Sequence, residues 1–251
     1  MLNLLLRHTA LPSLEQYLPT ILQLVLNRMM ANKTPRFYKL SVHMFCVFSI
    51  NYGAATLLRF MEAIQPNLLV NVLQQVYAPT LEYICNSIDL VAGCEICVGT
   101  AKLLSEEIPA IRDNSNLWGA LFKNFVVVCA KTGTLSGTSM KGTEEEPAGL
   151  LVTGLLNDDG EAIGSGQDFD NAYSKLQYAN IPQFSQLMVN NTISGGDDIF
   201  GHCCTMSAQA LGGLMQQNPG KYQGTINGIA VDPAYGSVFQ AVFARNNVSI
   251  M

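Results

Sequence analysis

The chain has 251 residues, of which 49% are hydrophobic and only 13% charged, about half the ~25% charged share of ordinary soluble domains. Such a chain has a sizeable core to bury, which excludes disorder over its whole length. Lys plus Arg is 14 against 19 acids, and the net charge of −5 provides no general basic surface for nucleic-acid phosphates.

The charge is uneven. Residues 1–131 hold ten bases and eight acids, whereas residues 132–251 hold four bases and eleven acids, so the two parts meet partners differently. The seven cysteines (46, 85, 94, 97, 129, 203 and 204) are odd in number and scattered through apolar stretches, with no secretory signal pattern at the start. They are expected to be reduced thiols of a cytosolic or nuclear protein. Residues 40–58 and 63–81 lack Asp, Glu, Lys and Arg, but His43 and Asn51 interrupt the first, and Gln65, Pro66, Asn67 and Gln74 the second. Helices buried inside a packed array are expected there, without membrane insertion.

Helices are predicted to begin near residues 13, 35, 67, 90 and 115. Thr34 as N-cap with Pro35 at the first helical position opens the second, whose apolar stripe is Phe37, Leu40, Met44, Val47 and Phe48. Leu69, Val72, Leu73, Val76, Tyr77, Leu81 and Ile84 keep helical spacing through the third. Leu90, Cys94, Cys97, Val98, Ala101 and Leu104 form the next stripe, and Leu117, Leu121, Phe125 and Val128 the one after. Pro19 and Pro79 are expected to bend their helices. The spacing gives a helix-pair period of about fifty residues, near the ~40–47 residues of HEAT and armadillo repeats, in which each pair buries its face only against its neighbours. The expected fold class is therefore all-α, an α-α superhelix; a single irregular helical bundle is the alternative.

Residues 132–167 break the pattern. Their many glycines, with Glu144-Glu145-Glu146 and Asp158-Asp159-Gly160-Glu161, suit a long acidic loop, in which residues 150–156 could form a short hairpin arm turning at Asp159-Gly160. Helical spacing resumes at 169–178 and 199–215, and a last helix opens at Asp232-Pro233 with the stripe Tyr235, Val238, Phe239, Val242 and Phe243. The division expected is helical repeats over 1–131, the acidic loop over 132–167, and C-terminal helical repeats over 168–251.

No motif points to catalysis. Cys94-Glu95-Ile96-Cys97 has the spacing of a redox pair or half a zinc site, but no second ligand pair and no preceding strand accompany it, and both cysteines fall on an apolar stripe. His202-Cys203-Cys204 projects adjacent side chains about 100° apart, so they do not converge on a metal. Asp197-Asp198 suits the first turn of a helix. The three histidines lie in apolar helices, and neither a nucleophile elbow nor a phosphate-binding glycine pattern occurs. No catalytic residue, metal or cofactor is expected.

An ordered set of short segments adds what periodicity does not. Phe48-Ser49-Ile50-Asn51-Tyr52-Gly53 within residues 39–64, Ile64-Gln65-Pro66-Asn67, Val76-Tyr77-Ala78-Pro79, Cys97-Val98-Gly99-Thr100-Ala101-Lys102-Leu103-Leu104 and Leu117-Trp118 are followed, beyond an acidic interruption, by Ala172-Tyr173-Ser174-Lys175-Leu176 and Met188-Val189-Asn190-Asn191. In this order they resemble the C-terminal region of the exportin-2 family of importin-β-like karyopherins, over nearly the whole chain. The resemblance implies a superhelix of HEAT repeats of which this chain is the last part. It also implies a non-enzymatic export receptor that recycles importin-α with GTP-loaded Ran, the main Ran contacts lying in an N-terminal arch outside this chain. Shuttling between nucleus and cytoplasm would follow. The acidic residues Glu144, Glu145, Glu146, Asp158, Asp159 and Glu161 are the candidate partner-binding residues, offering charge complementary to a basic stretch of importin-α. An unrelated helical-repeat scaffold without a transport role is the alternative. Residues 2–6 suit the tail of a helix whose partner lies upstream, so an exposed apolar end and a tendency to self-associate are expected.

Overall fold

A computed structural model describes residues 2–31, 33–84, 90–106, 108–135, 199–232, 235–236 and 242–243. Every described element is a helix: α1 (Leu2–His8), α2 (Leu11–Leu14), α3 (Leu18–Ala31), α4 (Pro35–Tyr52), α5 (Ala54–Ile64), α6 (Leu68–Val72), α7 (Ala78–Ile84), α8 (Leu90–Ser105), α9 (Pro109–Arg112), α10 (Ser115–Leu135), α11 (Ile199–Gln217) and α12 (Gln223–Ala230). A π-helical turn, Leu73–Tyr77, joins α6 to α7.

The elements stack in two layers. In one, α1 packs on α4, α4 on α8, and α8 on α11. In the other, α3 packs on α5, α5 on α6, α7 on α10, and α10 on α12. Between layers, α4 meets α5 and α7, and α8 meets α10. Each helix thus contacts its neighbours along the stack, the arrangement of an all-α, HEAT-like superhelix.

Helix α8 is the centre of this stack. Flanked by α4 and α11 and faced by α10, it is buried on nearly every side, with twelve of its sixteen residues out of solvent. The stripe from Leu90 to Leu104 is therefore only part of its packed surface. Two glycines permit the close approach: a Cβ on Gly99 would stand 2.5 Å from Cys46 Cβ and 2.6 Å from Cys46 Cα on α4, and one on Gly93 would collide with Thr132 on α10. Helices touch backbone to backbone only where a side chain is missing.

The two prolines expected to bend their helices act differently from each other. Pro19 is the second residue of α3, in the first turn, where a missing N–H breaks no helical bond. Pro79 leaves the Gln75 carbonyl without its i+4 donor, and the chain takes up the step as a π turn in which the Ala78 N–H reaches the Leu73 carbonyl. Pro35 does open α4, and Thr34 has extended N-cap backbone, but its hydroxyl makes no cap bond; its carbonyl instead accepts from the N–H groups of Phe37 and Tyr38. Gly53, at φ 87°, separates α4 from α5, and the Glu106 carboxylate accepts the Ala55 N–H at 2.5 Å, covering an N-terminal donor of α5.

Helix α11 matches the spacing predicted from residue 199. The last predicted helix is helical at 235–236 and 242–243, with Val242 and Phe243 buried. Residues 132–135, expected to open the acidic loop, instead continue α10 to its end at Leu135; the rest of the loop at 132–167, its hairpin arm at 150–156 and the helix at 169–178 lie outside the described residues. Among the described residues no helix is long and apolar enough to cross a membrane.

Candidate functional site

Two sets of buried polar side chains meet on α8. Glu95 is buried there, and its carboxylate accepts Arg7 Nε at 3.1 Å and Arg7 Nη2 at 2.7 and 2.6 Å from its two oxygens. His43 Nε2 bonds the same carboxylate. A carboxylate accepts, so Nε2 donates to it, while Nδ1 on the other side of the ring stands 3.4 Å from the Asn3 amide nitrogen. Arg7 belongs to α1, His43 to α4 and Glu95 to α8, so one buried acid ties three successive helices of a layer. Arg7 Nη1 has no hydrogen-bond partner.

A second polar chain crosses between the layers. Thr100 Oγ1 gives its proton to the Ile96 carbonyl at 2.6 Å, so the Tyr77 hydroxyl donates to Thr100 Oγ1 at 2.8 Å and accepts from the Cys46 thiol at 2.9 Å. Tyr77 comes from the π turn, which places its ring and hydroxyl between α4 and α8.

The thiols of this core are held protonated. Burial pushes the Cys46 and Cys129 thiols up to about 12, and the Cys97 thiol well above its ordinary value. Cys129 donates to Cys97 Sγ at 3.3 Å, and Cys203 to the Cys94 carbonyl at 3.5 Å. A thiol reacts or ligates as thiolate, so these cysteines pack as small apolar groups. Among the described residues no group of His, Cys, Asp and Glu could hold a metal ion.

The candidate residues from sequence fare unequally. Cys94 and Cys97 are both buried on α8, as their stripe requires, and His202 lies on α11. Glu144, Glu145, Glu146, Asp158, Asp159 and Glu161 lie outside the described residues, as do Asp197 and Asp198. An open groove of about 460 Å³ runs between the α1–α2 turn and the end of α4, lined by residues including His8, Thr9, Asn51 and Tyr52. The Tyr52 hydroxyl stands 2.7 Å from the carbonyls of both Leu6 and Thr9, which fixes that turn. Among the described residues no hydrogen bond pairs His8 with the Thr9 or Tyr52 hydroxyl of the groove. What sequence reasoning missed is the Arg7–Glu95–His43 tie. Its signal was present: Glu95 is the one charge among residues 90–101, and an isolated acid inside an apolar helix calls for a buried partner.

Comparison with known proteins agrees with this architecture. The family described as CAS/CSE protein, C-terminus, matches over residues 1–145. Exportin-2 of Pagrus major is 29% identical over 129 residues, and exportin-2 of Homo sapiens is 28% identical over 128. Exportin-2 of Danio rerio is 27% identical over 129 residues. These alignments cover 50% of this chain and 13% of each relative, so the chain spans a small part of the length of the proteins it resembles. No solved structure matches. The segments at 172–176 and 188–191 lie outside the family match. With its first 145 residues matched and its described helices stacked in two layers, the chain belongs to the CAS/CSE family as a form of its C-terminal region.

Proposed function

We propose that this chain acts as the C-terminal segment of a nuclear export receptor that returns importin-α to the cytoplasm together with GTP-loaded Ran. The family match over residues 1–145 carries this reading, and the two-layer stack supports it. Work is done by protein surfaces and by flexing, with no catalytic step. Small rotations between neighbouring helix pairs add along a stack into a change of pitch that opens or closes around cargo. Two partners that both favour the closed pitch promote each other's binding by the same factor. The division into repeats over 1–131, an acidic loop over 132–167 and further repeats over 168–251 belongs to this proposal. So does shuttling between nucleus and cytoplasm.

Within it, Glu144, Glu145, Glu146, Asp158, Asp159 and Glu161 offer negative charge to a basic stretch of importin-α. Co-precipitation with importin-α, with and without GTP-loaded Ran, is the test, using this chain and a version extended upstream. The extended version should retain importin-α, and more of it with GTP-loaded Ran. Reversing Glu144, Glu145 and Glu146 to Lys should weaken retention at low salt. No retention by either version would contradict the transport reading and favour a helical scaffold with another partner.

A further inference from the structure

The tip of the α3–α4 hairpin is net positive, whereas the rest of the chain holds ten bases against 19 acids. Between Glu15 and Glu62 there is no acidic residue, and Arg28, Lys33, Arg36 and Lys39 fall within twelve positions. Arg28 sits in the last turn of α3, Lys33 in the connection and Arg36 in the first turn of α4, all three exposed. The two helix ends are held together: the Arg28 guanidinium lies 5.6 Å from the centre of the Phe37 ring, and the Tyr38 hydroxyl donates to the Met29 carbonyl at 3.4 Å. Among the described residues none of Arg28, Lys33 and Arg36 is paired with a carboxylate.

Large apolar side chains are exposed on the same two helices. Leu24 is 63% exposed, Met30 76% and Leu40 53%. Leu24 lies one turn before Arg28 on α3, and Leu40 one turn after Arg36 on α4, so cation and apolar group share a line on each helix. The inner side of α3 is already used, because Leu18, Leu22 and Met29 are buried in the core.

The mixture selects the partner. A bare polyanion would satisfy the cations and leave Leu24, Met30 and Leu40 in water. A lipid surface demands a continuous apolar face, and that face of α3 is spent on the core. We infer that the α3–α4 tip is a docking surface for an acidic amphipathic segment of a partner protein. Its carboxylates would meet Arg28, Lys33 and Arg36, and its apolar side chains Leu24, Met30 and Leu40. This surface is opposite in sign to the acidic segment and independent of it.

The test is fluorescence anisotropy of the full chain with a labelled peptide of Glu and Leu at helical spacing. The same peptide with Lys for Glu, heparin, and vesicles with and without phosphatidylserine run alongside. The acidic peptide should bind saturably at low salt and more weakly at high salt. Lys33→Glu with Arg36→Glu should weaken it at least tenfold, and Leu24→Ser with Met30→Ser at least threefold. Arg59→Glu and Tyr83→Ser, exposed elsewhere, should leave it unchanged, and circular-dichroism melting checks that each variant is folded. Absent binding, binding indifferent to the Lys33 and Arg36 reversals, or preference for heparin or anionic vesicles with no effect at Leu24 and Met30 would overturn the proposal.

Discussion

At the scale of single residues, Glu95 is the group on which most depends. Two charges taken out of water are costly unless paired and fully bonded, and removing one partner strands the other. Arg7→Met is expected to destabilise the chain by about 3–5 kcal/mol in urea unfolding, because Glu95 keeps only His43. Arg7→Met combined with Glu95→Leu should recover much of that loss, since an apolar pair needs no solvation. The buried thiols make a pH prediction. Cys46 is held protonated up to about 12 in the fold against 9.0 as its ordinary value. Below the ordinary value both folded and unfolded chains keep the proton. Between it and the folded value only the unfolded chain gives it up. The contribution of this thiol to stability is therefore expected to be level below pH 9.0 and to fall as pH rises from there towards about 12. Urea titrations across that range check it, and Cys46→Ala should lessen the slope.

At the scale of the elements, helix positions were legible because apolar spacing is a local signal. The stripes at 35–48, 69–84, 90–104 and 117–128 all fall on observed helices. What spacing did not convey is how completely α8 is enclosed, since burial on the remaining sides depends on α4, α10 and α11 arriving from far along the chain. The same limit hid the Arg7–Glu95 pair, whose members are 88 residues apart. Nor did a proline reveal its own remedy: Pro79 reads as a bend until the π turn before it is seen. The α4–α8 crossing supplies a sharp contrast. Gly99→Ala would force its Cβ against the Cys46 backbone and should cost about 1–3 kcal/mol or more. Gly213→Ala, also within a helix but with open space around it, should stabilise by about 0.5–1 kcal/mol. Thermal melts of the two variants should move in opposite directions.

At the scale of the whole molecule, the described helices contact neighbours along a stack, and Glu95 ties α1, α4 and α8 into one unit within it. Flexing that changes pitch would then be taken up between tied units, with the α1–α4–α8 group turning as a body. The candidate acidic residues are legible as a charge pattern alone, and they lie outside the described residues. The proposed receptor action makes one quantitative demand on the assembled complex, namely reciprocal coupling. The direct measurement is titration of importin-α into the upstream-extended chain by calorimetry, with and without saturating GTP-loaded Ran, and the converse titration. The account predicts that each partner tightens the other by the same factor, about 5- to 150-fold for a coupling of ordinary size. Affinities for importin-α that are unchanged by GTP-loaded Ran, or no binding of importin-α at all, would contradict it.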